Sequence, residues 1–474
     1  MARYAYDRLS HESAALLERE TSRSYQHSGA TLLFESGPLA TPDGGVDFAA
    51  IRAAVESRLH RVPQYRRMLR WIPFENHPVW VDDAEFNLDY HLRHTSLARP
   101  GGDPQLRKLV ARVQSQRLDR SRPLWECWVL EGMEGGRFAV VVKTHNAMVD
   151  GAGSDLLQVL LSPDPDEVYA PPPPHRPRPV PTSAELVRDE VVRQFRLPRR
   201  ALRRFQNFVN ETDDLGEEIR SRADGLAQML GYTLKRLPET PLNGEIGPHR
   251  HCDMLTLPLD EAKAVRRELG GTVHDVILTS VAGAVSRYLR EHHVNPAILD
   301  FRAGVPVSLR RGEVNEGVGE WILELPVWEK DPVRRLQLVQ ERTEAQNRLN
   351  PALGAKTLFS MAGWTSSRML AQAARSLSGN AAVHLTVTNV PGPQTPLYLG
   401  GARLVETFGS IPLRKNGGLG IAVMSYEGRL CFGLNADFDL VSDLKVFTEA
   451  LKSSFEELVR EANRRGRPIA LVGA

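Results

Sequence analysis

The run "SPDPDEVYAPPPPHRPRPVP", Ser162 to Pro181, limits what this chain can fold into. Proline fixes φ and removes a backbone donor, so neither a helix nor an interior strand can pass through it. The segment reads as an extended polyproline connector. With 474 residues the chain is too long for one ordinary core. The expected division is a first domain over 1–162, the connector and a helical linker over 163–240, and a second domain over 241–474.

The first block mixes strands and helices. "GATLLFES" reads as a strand, and "VDFAAIRAAVESRLHRV" as an amphipathic helix. In the latter, Phe48, Ile51, Val55 and Leu59 recur at helical spacing behind Asp47 as N-cap. A helix near Gln105 to Leu118 leads to "PLWECWVLEG" and "GRFAVVVKT", two strands joined by a glycine-rich hairpin. "SDLLQVLL" follows as a short helix. After the connector, Ser183 to about Lys235 reads as helical and rich in Arg.

The last block is again mixed. "TVHDVILTSVAGAVSRYL" opens with a capping box, Thr272 followed by Asp275. "HLTVTNVPGP" and "GRLCFGLNAD" read as strands. Leu444, Phe447, Leu451, Phe455 and Leu458 share one face of a closing helix. The fold class expected is therefore α/β, with mixed sheets flanked by helices in two blocks and no short internal repeat.

A net charge of +2 gives no global argument for a nucleic-acid partner. Cys127, Cys252 and Cys431 are few, odd in number and far apart, which favours a reducing compartment over a disulfide framework. The charged N-terminus lacks the apolar core of a signal peptide, and no apolar run approaches the about 18 residues of a membrane span. These features point to a cytoplasmic protein. No GxxxxGK[ST], GxGxxG or GxSxG motif occurs, which disfavours nucleotide-binding loops and a serine hydrolase. His249, His251, Cys252 and Asp253 lack a second ligand pair at a recognised spacing, so a polar strand start is the reading and no metal is expected.

The stretch "FAVVVKTHNAMVDGAG" is more specific. A β-branched run ends in His145 and Asn146, then three apolar residues, Asp150 and Gly151. This resembles the HHxxxDG signature of the coenzyme-A-dependent acyltransferase superfamily. Within it, the whole chain resembles the bacterial wax ester synthase/diacylglycerol acyltransferase family. Pro123, Leu124 and Trp125 match its PLW motif; "PLNGEIGP", "VPVSLR" and "NVPGP", beginning at Asn389, follow in the family's order. Ser13 stands where an Asp is usual, and His274-Asp275 replaces the usual Asn-Asp.

The resemblance implies two chloramphenicol-acetyltransferase-like domains with an active-site tunnel between them. It implies acyl-coenzyme A as a substrate, no separate cofactor, and a fatty alcohol or diacylglycerol as acceptor. A histidine would take the acceptor's proton as its oxygen attacks the thioester, general-base work that suits imidazole. The motif's Asp would orient its loop through an arginine, for which Arg310 is the candidate. Gly151 would allow close backbone approach.

The chain departs from the pattern at the essential position. The family's base is the second His of the signature, and that place is held by Asn146, with His145 matching the first. An amide has no basic lone pair. Loss of general-base catalysis costs about 10²–10⁴ in rate. Successive strand side chains alternate faces, so His145 should point away from where Asn146 points; a bulge or register slip could turn it inward.

Three readings stay open: an active long-chain acyltransferase, a silent lipid- or acyl-coenzyme-A-binding homologue, and acyl transfer to a specialised acceptor. Insoluble products require access to a lipid surface or droplet, and "VVRQFRLPRRALRRFQNFV" mixes Arg with apolar residues as an interfacial helix would. Inter-domain packing explains that segment equally well.

Overall fold

The computed structural model describes residues 6–148, 156–194, 237–311, 314–349 and 383–466. The first block supplies β1 (Tyr6–Arg8), α1 (His11–Arg19), β2 (His27–Glu35), α2 (Phe48–Arg58), β3 (Arg67–Trp71) and β4 (Pro78–Asp82). It continues through α3 (Leu88–His91), β5 (Leu92–Ser96), α4 (Asp103–Gln114), β6 (Trp125–Met133), β7 (Arg137–His145) and α5 (Leu156–Leu160). The last block adds β8 (Arg250–Pro258), β9 (Arg302–Arg311), β10 (Val314–Glu324), β11 (Leu385–Pro391) and β12 (Tyr398–Leu399). Its strands end with β13 (Ala402–Ser410), β14 (Leu419–Tyr426) and β15 (Arg429–Asp437), and a helix, Leu444–Gly466, follows them.

Local chemistry accounts for the element ends. Asp47 accepts the Ala50 N–H at 3.0 Å and starts α2. Thr272 and Asp275 exchange both bonds of the capping box at the head of the helix Val273–Glu291. Gly135 and Gly136 adopt left-handed φ in the β6–β7 hairpin. α4 stops at Gln114, short of Leu118, and its carboxyl end is met by a buried cation described below.

The second six-stranded sheet, β10-β9-β11-β14-β15-β8, draws on the last block alone. The first, β12-β13-β2-β7-β6-β5, does not: its β12 and β13 come from residues 398–410, between β11 and β14 in the chain. β13 runs antiparallel to β2, with Phe408 opposite Thr31. Where it passes the second sheet, a Cβ on Gly433 would lie 1.9 Å from the Gly409 carbonyl oxygen, so backbone packs on backbone there.

Side-chain alternation along β7 serves two cores. Phe138, Val140 and Val142 face a core with α2 and α5, whereas Ala139 and Val141 face one shared with α4. That second core also contains Cys252, Phe408 and Cys431, so it joins the two blocks. Burial pushes the thiols of Cys127 and Cys252 up to about 12, and Cys431 up to about 11. They are inert packing residues.

The connector folds back onto the first block. Arg178 binds Asp82 through its main-chain N–H and its guanidinium, at 2.9–3.0 Å. A helix at 183–194 then packs Leu186 against Ile72, just past β3, and against Val79 and Val81 of the small β1-β4-β3 sheet. Much of the Arg-rich stretch anticipated as an interfacial helix lies outside the described residues.

Candidate active site

β7 delivers His145 at its last position, directly opposite His27, the first residue of β2. Their rings meet edge to face at 5.6 Å. Beyond this pair the ladder ends in a short 3-10 turn, Asn146–Met148. Each amide at the junction has its own acceptor. The His145 N–H donates to Leu124 O at 3.0 Å, the Asn146 N–H to Gln26 O at 2.8 Å, and the Ala147 N–H to His145 Nδ1 at 3.0 Å.

The last of these fixes the chemistry of His145. Since Nδ1 accepts a backbone hydrogen bond, the neutral ring carries its proton on Nε2, a tautomer assigned from the bonding pattern. Nε2 lies 3.2 Å from Glu20 Oε1, with its N–H aimed somewhat off the oxygen. The ring is 1% exposed. Its one lone pair is occupied and its other nitrogen is protonated, so His145 has no free basic nitrogen to offer a substrate. Asn146, only half-buried, stands at the start of the turn.

Glu20 collects this end of the sheet. Its Oε1 accepts the Gln26 N–H at 3.0 Å and lies 3.4 Å from His27 Nε2. Its Oε2 accepts from Arg120 at 2.7 Å and from Arg117 at 3.4 Å. Burial alone would raise the Glu20 carboxyl, but contact with His145 and His27 holds it well below the usual carboxylate range. Burial lowers His27 to about 4 against the opposing pull of Glu20, so it is neutral at pH 7.

Donor atoms of Glu20, His27 and His145 fall within 4.8 Å of one another. A cation there would need the Nε2 lone pair of His145, yet Nδ1 already accepts from Ala147. The neutral ring cannot supply both, so the donor set does not fit a metal.

The PLW residues act as a brace. Trp125 is fully buried, donates Nε1–H to Tyr65 O at 2.8 Å and stacks on His91 at 4.6 Å. Leu124 offers the carbonyl that holds the His145 N–H, and Pro123 is buried beside it. Asp275 caps its helix and accepts from Thr343 Oγ1 at 2.8 Å, while burial lowers the neighbouring His274. Asn389 sits half-buried in β11 opposite Val423. Arg310 lies in β9 opposite Asn315. Asp150 and Gly151 lie outside the described residues, so the expected Asp150–Arg310 pairing does too.

Glu20, His27, Arg117, Arg120 and Lys143 escaped sequence reasoning. The Lys143 ammonium is wholly buried and donates to Val113 O at 3.0 Å and Gln116 O at 2.9 Å, capping the end of α4. A charge inside the apolar run "FAVVVKT" was its signal. Glu20 and His27 had none, since a turn brings them together.

Residues 9–277 match the wax ester synthase/diacylglycerol acyltransferase catalytic domain, and 317–459 match the WS/DGAT C-terminal domain. A putative diacylglycerol O-acyltransferase of Mycobacterium tuberculosis is 31% identical over 95% of this chain and 91% of its own. A probable diacylglycerol O-acyltransferase, tgs1, of the same species is 29% identical over 90% of this chain and 92% of its own. Among solved structures, the wax ester synthase/diacylglycerol acyltransferase of Marinobacter aquaeolei VT8 superposes with a TM-score of 0.68. It is 23% identical and covers 96% of this chain and 100% of its own. The first condensation domain of the calcium-dependent antibiotic synthetase follows at 0.59, with 15% identity and 99% coverage of both chains. Both share the fold expected from the sequence. The chain belongs to the wax ester synthase/diacylglycerol acyltransferase family, the acyl-coenzyme-A-dependent O-acyltransferases.

Proposed function

We propose that this protein transfers a long-chain acyl group from acyl-coenzyme A to a fatty alcohol or diacylglycerol, and that it does so slowly as written because Asn146 occupies the base position. One observation carries the second half of this reading. His145, the neighbouring imidazole, is committed through Nδ1 to Ala147, and its Nε2, which then carries the ring proton, lies buried 3.2 Å from Glu20 Oε1. It therefore does not replace the missing base. A shaped site without its base retains proximity and oxyanion stabilisation, which leave a residual rate.

The test pairs the chain as written with its Asn146→His variant, on palmitoyl-coenzyme A with hexadecanol or a diacylglycerol. Release of free coenzyme A should rise about 10²–10⁴-fold on restoring histidine. Equal activity would remove Asn146 from the base position. Tight acyl-coenzyme A binding with no release in either protein would favour the silent binder of the same fold.

We also propose peripheral contact with a lipid surface from the cytoplasmic side. Phe74 is 84% exposed at the tip of the β3–β4 hairpin, and Val191 and Val192 are exposed on the helix packed against that small sheet. No single helix among the described residues is long and apolar enough to cross a membrane. Co-sedimentation of the full chain with anionic vesicles should weaken in a Phe74→Ser variant; unchanged binding removes the hairpin from the contact.

A further inference from the structure

We propose that Glu20 is the positioning residue of the acyl-transfer centre, holding the 145–148 turn, and hence position 146, in place through its carboxylate. The catalytic part rests on the acyl-transfer reading above.

Of the three amides at the junction, two lead back to Glu20. The Asn146 N–H reaches Gln26 O, and the Gln26 N–H is itself held by Glu20 Oε1 at 3.0 Å. The Ala147 N–H needs an acceptor at His145 Nδ1. That acceptor exists only while the ring proton stays on Nε2, and the anionic oxygen 3.2 Å from Nε2 favours this tautomer. In the other tautomer an Nδ1–H would face the Ala147 N–H, leaving a buried donor unpaired.

Glu20 is able to do this because it stays charged. Its side chain is 1% exposed, with Arg120 at 2.7 Å and Arg117 at 3.4 Å on the far oxygen. Both arginines lie on the segment entering Pro123-Leu124-Trp125, the same segment whose Leu124 carbonyl takes the His145 N–H. One carboxylate thus fastens three stretches of chain around position 146: the end of α1, the approach to β6 and the end of β7. It touches no reacting atom and acts through His145 and Gln26. A carboxamide in its place keeps the volume but not the anion. With its oxygen towards Gln26 and His145, its NH2 would face the Arg120 and Arg117 donors; turned over, it would lose the acceptor for Gln26 and His145. The hold on the turn is weakened either way.

Hydrogen exchange read by mass spectrometry on the full chain, as written and as Glu20→Gln, provides the first measurement. Amides of 145–148 should exchange roughly tenfold faster in the variant, with those of 137–142 unchanged. The second measurement uses the Asn146→His chain. There Glu20→Gln should lower kcat about 10- to 100-fold with KM for palmitoyl-coenzyme A within twofold, and Glu20→Asp should recover part of the loss. If Glu20→Gln does not fold, Glu20→Asp carries both measurements with smaller shifts of the same sign. Unchanged exchange at 145–148 overturns the proposal, as does an unchanged kcat in an active Asn146→His chain. Faster exchange with an Asn146→His chain that releases no coenzyme A upholds the hold on the turn and sinks the acyl-transfer reading instead.

Discussion

The Ala147 amide donates to Nδ1 of His145 at 3.0 Å, and that bond occupies the lone pair a general base would use. Two imidazole nitrogens, one accepting from the backbone and one protonated beside Glu20, leave nothing for an acceptor alcohol. In the proposed function, proton transfer is restored at the neighbouring position, by Asn146→His.

Restoring it should change the pH profile as well as the rate. Coenzyme A release by the Asn146→His chain should fall as pH drops through the histidine range, near 6–7, because a protonated imidazole accepts no proton. The chain as written should show no such limb. Initial rates between pH 5.5 and 8, at saturating palmitoyl-coenzyme A, check this.

Acid should destabilise the fold through its buried histidines. Burial lowers His27, His91 and His384 to about 4 each, against an ordinary value near 6.5. Below 6.5 the unfolded chain binds protons that the folded chain refuses. Their contribution is therefore complete above 6.5 and lost progressively as pH falls towards 4. Thermal midpoints measured across that window should fall steeply, by the equivalent of several kcal/mol in all.

Lys143→Met should loosen the end of α4. The substitution keeps an unbranched side chain but removes the donor to Val113 O and Gln116 O, and leaves Glu126, 3.6 Å from Nζ, without its buried cation. A loss of about 1–3 kcal/mol in urea unfolding is expected. No change would mean that water replaces the ammonium.

Gly433→Ala should cost more than its one methyl suggests. Its Cβ would fall 1.9 Å from a carbonyl of β13, so a strand must move rather than a side chain. The expected result is a lower melting temperature and poorer soluble yield.

The sequence by itself determined the elements and the family. Helix faces such as Leu444, Phe447, Leu451, Phe455 and Leu458 are written in the spacing of apolar residues, and the caps Asp47 and Thr272 in local chemistry. All five of those apolar residues are buried, and both caps bond as expected. The substitution at Asn146 was equally legible, because a motif is a local pattern. Only the tertiary structure decided that β13 completes the first sheet, and that Glu20 and His27 converge on His145. Strand partners and turn-borne contacts join residues far apart in the chain, and no periodicity records which edge a strand will find. The surroundings of His145 were decided in the same way: a ring's free nitrogen depends on what its neighbours donate, and those neighbours are assembled by folding.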